Sequence, residues 1–223
     1  MNELLIADDH PLFREALRGL VSKHYPNTKI YEAESADSLF TLVNDHPEAD
    51  LLLLDLNMPG AEGYSSLVFL RSHHPQLPIV IISAHEDPIL MRRAVEHGAM
   101  GYIPKSANIE TLCTAIDQIL LGEIWLPENA QTGPVVSAKE KEAAKLVSEL
   151  TPQQFRVLQM ATNGQLNKQI AYDLGVSETT IKTHMTAIFR KLGVNNRTQA
   201  VLLAYQLDIQ NKSESELREF LGE

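Results

Sequence analysis

A single cysteine, Cys113, stands among 223 residues. No internal disulfide is available, and a reducing cytoplasm is the natural setting. Cys113 lies in a helical pattern and reads as a packing residue rather than a nucleophile. No apolar run approaches the roughly 18 residues of a membrane-spanning helix. The start, MNELLIADDH, lacks a basic region followed by a long apolar stretch, so no secretory signal is expected. No Cys/His spacing resembles a zinc site. His73 and His74 are neighbours, which on a helix face different ways. There is no internal repeat. Positive charge is also scarce: 19 Lys and Arg stand against 29 Asp and Glu, a net charge of −10. Taken whole, that balance argues against nucleic acid as a partner.

The balance is uneven along the chain, however. Residues 1–121 carry 8 basic and 17 acidic side chains, residues 122–150 carry 3 and 5, residues 151–205 carry 6 and 2, and residues 206–223 carry 2 and 5. One basic segment of net +4 is set in acidic surroundings, which suggests two domains with different partners.

Residues 1–122 alternate between short apolar runs and helical periods. LLIA, KIYEA, DLLLLD, PIVIIS and GYIPK read as strands, each followed by an amphipathic helix; Pro11 opens the first helix and Gly98 ends the fourth. Five strands alternating with five helices predict a parallel, doubly wound α/β sheet covered on both faces. Residues 123–149 (EIWLPENAQTGPVVS and a half-charged helical stretch) read as a linker, partly helical. Residues 150–206 predict a small all-α four-helix unit. In it Asn167 caps a second helix, Gly175 breaks it, Ser177 caps a third, and Gly193 ends that one. Helix, short break, helix at these lengths is helix-turn-helix geometry. A polar tail occupies 207–223.

In an open parallel sheet, ligands bind beyond the carboxyl ends of the strands. Strand one delivers Asp8 and Asp9 there, strand three Asp55, strand four Ser83 and then Ala84, strand five Lys105. Each has an ordinary explanation alone, as a cap, a turn residue or a surface cation. Together they place three carboxylates, a hydroxyl and an amine on one edge. Crowded carboxylates suit a hard cation such as Mg²⁺. A carboxylate is also a nucleophile toward phosphoryl groups, whose equatorial oxygens Lys105 and Ser83 would meet.

With DDH, LLDLNMPG, the SA after strand four and GYIPK, residues 3–121 resemble a two-component receiver domain of flavodoxin-like fold. The resemblance implies that Asp55 is phosphorylated and that Mg²⁺ is held by Asp9, Asp55, the backbone carbonyl of Asn57 and, through water, Asp8. It implies a switch pair in Ser83 and Tyr102, with Lys105 on the phosphoryl group and Ala84 leaving room for the donor. Ser106 replaces the proline common after the lysine, which puts a cis linkage in doubt. Asn57 and His85 flank the expected path of hydrolytic water, and His10 is expected as a helix cap beside Pro11.

In the basic segment, Ile181, Met185, Ile188 and Leu192 recur at i, i+4, i+7 and i+11 and mark a buried helix face. At about 100° per residue, Thr179, Thr183, Thr186 and Arg190 fall opposite, with Lys182 on the flank and Lys191 near the end. Such a helix suits a major groove, with the short chains and Lys182 on base edges and Arg190 and Lys191 on phosphates. LTPQQFRVLQMATNG, NKQIAYDLGVSETTIKTHMTAIFRKLGV and NRTQAVLLA resemble the LuxR-type helix-turn-helix, departing from it at Gln154, Arg156 and Thr186. With GEIWLP between the two parts, the chain resembles a NarL/FixJ-family response regulator. That implies a cytoplasmic transcription regulator rather than an enzyme, phosphorylated by a sensor histidine kinase. It further implies binding to a double-stranded operator as a homodimer, contact with RNA polymerase, and no membrane association. Val201, Leu202 and Tyr205 are the dimer candidates, although core packing accounts equally for the first two. A Mg²⁺-dependent aspartyl-phosphate phosphatase and a phosphate-independent regulator are the competing readings. The first lacks a second aspartate, because Asn57 stands there; the complete acidic site argues against the second.

Overall fold

The structure, a computed structural model, describes residues 1–60, 63–130 and 136–208. The chain divides into two compact units, Met1–Val136 and Ser137–Glu223.

The first unit is a five-stranded parallel sheet. Its strands are β1 (Glu3–Ala7), β2 (Lys29–Ala33), β3 (Leu51–Leu54), β4 (Ile79–Ser83) and β5 (Gly101–Pro104), in the order β2-β1-β3-β4-β5. Helices α1 (Pro11–His24), α2 (Ala36–Asp45), α3 (Ser65–His73), α4 (Pro88–Glu96) and α5 (Ile109–Leu120) connect and follow them. Every residue of β3 and β4 is buried, the pattern expected of inner strands covered on both faces. Each fully buried leucine contributes roughly 1.5–3 kcal/mol through removal of apolar area from water. The register pairs Ala7 with Leu54 and Ser83 with Pro104, so Asp8 and Asp55 leave the sheet side by side, as do Ala84 and Lys105. The chain order reverses between β1 and β3, the crevice where this architecture binds ligands.

Side chains set the helix starts. Ser35, Asp87 and Asn108 accept the first free N–H groups of α2, α4 and α5, as N-cap residues do. No cis peptide occurs among the described residues.

The segment leaving α5 is more ordered than its composition suggested. Trp125 forms a bridge to Gly101: its N–H donates to the Met100 carbonyl at 3.0 Å and its own carbonyl accepts from Tyr102 N–H at 3.2 Å. A 3₁₀ turn at Glu128–Ala130 buries Ala130 completely, and Val136 N–H donates to Glu96 Oε2 at 2.9 Å. Prolines and low periodicity give the look of a linker, but β5 is an edge strand, and Trp125 pairs with its Tyr102 N–H and with the Met100 carbonyl just before it.

The second unit holds α6 (Ala138–Ser148), α7 (Pro152–Thr162), α8 (Asn167–Asp173), α9 (Glu178–Leu192) and α10 (Arg197–Ala204). The stretch 138–148 thus leads this unit as a full helix, capped by Ser137. Gln154 completes a capping box with Thr151, doing for the helix end what the usual acidic residue would do. Ile181, Met185, Ile188 and Leu192 are all buried, against a core that includes Phe155, Val157, Leu158 and Ile170. Gly193 takes the left-handed conformation (φ 68°) that ends α9. Leu207, expected at the head of the polar tail, is buried; residues 209–223 of that tail lie outside the described residues.

Two expected caps differ. Leu166, not Asn167, holds the N-cap position of α8, and Gln169 Oε1 accepts its N–H at 2.7 Å. Asn167 is instead bound by Arg197 at 3.3 Å. His10 stands at the N-cap of α1 but makes no side-chain cap bond; its ring turns back toward the acidic pair.

Candidate phosphoacceptor site and nucleic-acid interface

The ends of β1, β3 and β5 bring three charged groups together. Lys105 Nζ lies 2.8 Å from Asp55 Oδ2 and 2.7 Å from Asp8 Oδ2. Both carboxylates are nearly sealed, Asp55 at 1% and Asp8 at 2% exposure, so a single ammonium serves two buried acids. The Asp55 carboxyl pKa is raised, chiefly by burial and further by the Asp8 charge, against the hydrogen bond and charge of Lys105 and the Asn57 N–H. Burial draws the Lys105 pKa down, but Asp55 and Asp8 together outweigh it and leave it raised. The second oxygen of Asp55 accepts the Asn57 N–H at 3.1 Å. Asp9 is half-buried beside them.

Helix α1 braces this cluster. Phe13 presents its ring to the Lys105 ammonium, 4.8 Å from the ring centre, a favourable cation–π geometry. Arg14 donates from Nη1 to the Asp8 carbonyl at 2.6 Å and pairs with Glu32 at 3.3 Å, tying the β1–α1 turn to β2. His10 Nδ1 lies 2.7 Å from Asp9 Oδ1 and 3.2 Å from Asp8 Oδ1. Sequence reasoning missed Phe13 and Arg14. Their signal was position: one helical turn after the DDH acids, on a helix started by Pro11.

Ser83 is fully buried at the end of β4, and Ala84 is exposed beside it. The peptide groups of His85 link the two expected switch residues. Ser83 Oγ accepts the His85 N–H at 3.3 Å, and the Tyr102 hydroxyl donates to the His85 carbonyl at 2.7 Å. Tyr102 is wholly buried, and burial pushes its hydroxyl up to about 12 against the pull of Ser83.

In the second unit, Thr179, Lys182, Thr183, Thr186 and Arg190 are all exposed on α9. The hydroxyls of Thr183 and Thr186 donate back to the carbonyls of Thr179 and Lys182 at 3.0 and 2.9 Å. Lys182 pairs with Glu178 at 2.9 Å, one turn earlier. Lys191 donates to the Glu149 carbonyl at 2.7 Å, at the C-terminal end of α6, where a cation is favourable, and two of its three N–H groups remain for a phosphate. Of the dimer candidates, Val201 is 1% exposed and belongs to the unit's core, so its side chain has no surface for a partner. Leu202 and Tyr205 are half-buried.

Residues 4–117 match the response regulator receiver domain, and residues 148–204 match the bacterial regulatory proteins of the luxR family. The glycerol metabolism activator of Pseudomonas putida is 42% identical over 93% of this chain and 97% of its own. The nitrate/nitrite response regulator protein NarL of Escherichia coli (strain K12) is 32% identical over 91% of this chain and 94% of its own. This chain belongs to the NarL/FixJ family of response regulators. The structure of the response regulator RcsB in complex with DNA shares its fold, with a TM-score of 0.54 and 23% identity over 93% of this chain and all of that one.

The family regulates transcription and is not enzymatic. Response regulators work with sensor kinases and bind DNA, and receiver domains bind Mg²⁺ in general. The residues of this response regulator fit such an ion. Asp8, Asp9, His10 and Asp55 each offer a ligand atom, all within 4.8 Å of one another. Three of the four are carboxylates, the oxygen donors a hard cation selects. Lys105 supplies one positive charge against three negative ones, a deficit that a divalent ion offsets. No described helix is long and apolar enough to cross a membrane.

Proposed function

We propose that this response regulator is switched by phosphorylation of Asp55 and that the phosphorylated form binds an operator through α9. The single ammonium of Lys105 shared between buried Asp55 and Asp8 supports this most directly. An Asp55 oxygen attacks the phosphorus of a phosphohistidine on a sensor histidine kinase; the P–N bond breaks and an acyl phosphate forms on Asp55. Mg²⁺, when bound, screens the phosphoryl oxygens. Asp9, Asp55 and the Asn57 carbonyl would hold it directly, and Asp8 through water. Lys105 moves from sharing Asp8 and Asp55 to meeting the phosphoryl group. Ser83 meets another oxygen, and exposed Ala84 leaves the approach open.

Ser83 and Tyr102 both hold His85 by its backbone, so a pull on Ser83 by the phosphoryl group reaches the β4–α4 turn and Tyr102. Output lies in the second unit. Thr179, Thr183, Thr186 and Lys182 would meet base edges and Arg190 phosphates, while Leu202 and Tyr205 would join two copies on paired half-sites. The protein would act in the cytoplasm, with RNA polymerase as its final partner. By function we assign a receiver over 1–122, a connecting segment over 123–149 whose helix α6 belongs to the second compact unit, and a DNA-binding domain over 150–206.

Labelling with a small phosphodonor and Mg²⁺ tests the reading. The native protein should take up one phosphoryl group that hydroxylamine releases, as an acyl phosphate requires, and Asp55→Asn none. Stoichiometric labelling of Asp55→Asn would overturn it.

A further inference from the structure

A cleft of about 380 Å³ runs along the flank of α9 in the second unit. One wall is the α9 stripe of Lys182, Met185, Thr186 and Phe189, spaced i, i+3, i+4 and i+7. The other is the α9–α10 turn, Asn195 to Arg197, with Asn167 at the start of α8. Its volume is at the small end of ligand sites, and its chemistry is mixed. Met185 is buried and Phe189 half-buried, an apolar floor. Lys182 and Arg197 supply two cations.

Arg197 is unusual in its partners. Its guanidinium donates to the carbonyls of Ala161 (2.9 Å) and Gln165 (2.5 Å) and to Asn167 Oδ1 (3.3 Å). All three acceptors are neutral oxygens, so they fix the group in place without cancelling its charge. They also engage three of its five N–H groups, and two remain. Asn196 commits its side-chain oxygen to Gln199 N–H as the cap of α10, which leaves its amide N–H groups for the cleft. One fixed cation (Arg197), a mobile one that must leave Glu178 (Lys182), amide donors and an apolar floor together match one unit: an anionic phosphate joined to an apolar sugar face.

We infer that this cleft seats one sugar–phosphate of the DNA backbone at the edge of the groove that α9 enters. The inference rests on the DNA-binding role proposed above. Lys182 and Thr186 line the cleft and also belong to the exposed face of α9, so the occupant is continuous with the duplex. Thr186 and Lys182 therefore stand at the border between base and backbone, and Asn195, Asn196 and Arg197 become backbone-positioning residues outside the recognition helix.

The test uses the full chain and a duplex it selects from a random pool, with each phosphate replaced in turn by a neutral methylphosphonate. Asn195 is exposed, so its charge variants spare the core. Asn195→Asp should weaken binding about tenfold by like-charge repulsion, and Asn195→Lys should tighten it. The Asp penalty should vanish at one phosphate position per half-site. Weakening by both variants marks structural damage and overturns the inference, as does an Asp penalty equal at every position. So does saturable binding of inorganic phosphate at the cleft without positional coupling to DNA. Failure of the native chain to select any duplex instead overturns the DNA-binding role itself.

Discussion

The backbone N–H of Tyr102 donates to the Trp125 carbonyl at 3.2 Å, so the strand that carries Tyr102 and leads into Lys105 is paired directly to the segment leaving α5. The same strand begins at Gly101, where a Cβ would lie 2.9 Å from both the Trp125 carbonyl oxygen and Ile119 Cδ1. A backbone oxygen has little room to give. Gly101→Ala should therefore destabilise the first unit by about 1–3 kcal/mol through overpacking. Denaturant unfolding followed by the fluorescence of Trp125, the only tryptophan, measures this. An unchanged midpoint and emission maximum would mean that Trp125 does not hold the edge.

Tyr102 should make the protein sensitive to alkali. Its hydroxyl is raised from 10.0 to about 12. In the unfolded chain it ionises near 10, so the folded state binds more protons between pH 10 and 12. The stability linked to this group is complete below pH 10 and is lost as pH rises toward 12, with an upper limit of roughly 3 kcal/mol. Tyr102→Phe should cost about 1 kcal/mol at neutral pH through the lost bond to His85. It should also lose less stability than the native protein between pH 10 and 12. Parallel pH curves for the two would contradict the assignment.

Removing the shared ammonium leaves two buried carboxylates facing each other. Lys105→Met should destabilise the unit by about 3 kcal/mol and slow Asp55 labelling at least tenfold, as a lost electrostatic contact to a transferring group does. Added Mg²⁺ should recover more stability in this variant than in the native protein, because the ion offsets the missing charge. Thermal unfolding with and without Mg²⁺ decides it; an equal Mg²⁺ effect in both proteins would count against a shared site.

Glu178 is exposed, and Lys182 holds its carboxyl below the usual range through a hydrogen bond and charge. That pair must open for Lys182 to reach DNA. Glu178→Gln should tighten operator binding about twofold or more at low salt, and the gain should fade as salt rises. No change at any salt would place Lys182 away from the duplex.

Local chemistry made the strand ends legible. A parallel sheet sends every strand's carboxyl end to one edge, so Asp8, Asp55, Ser83 and Lys105 could be assembled from the order of strands alone. The α9 face was legible for the same reason: its period of 3.6 separates Ile181, Met185, Ile188 and Leu192 from Thr179, Thr183 and Thr186. What the sequence hid depends on contacts between distant positions. Nothing local at Trp125 announces that β5 lacks an edge partner. Nothing local at Lys191 announces that it also holds the carbonyl of Glu149, 42 residues earlier. Asn167 looks like a cap until Arg197 claims it. His10 was a near miss, because its N-cap position is right but its ring prefers the charges of Asp8 and Asp9 to the helix end.

Operator affinity measured for the native chain and for Asp55→Asn, each with and without phosphodonor and Mg²⁺, tests the coupling of the two units most directly. The native protein should gain affinity at least tenfold on labelling, and Asp55→Asn should show the unlabelled affinity in both conditions. Equal affinity of the native protein before and after labelling, or an equal gain in Asp55→Asn, would contradict it.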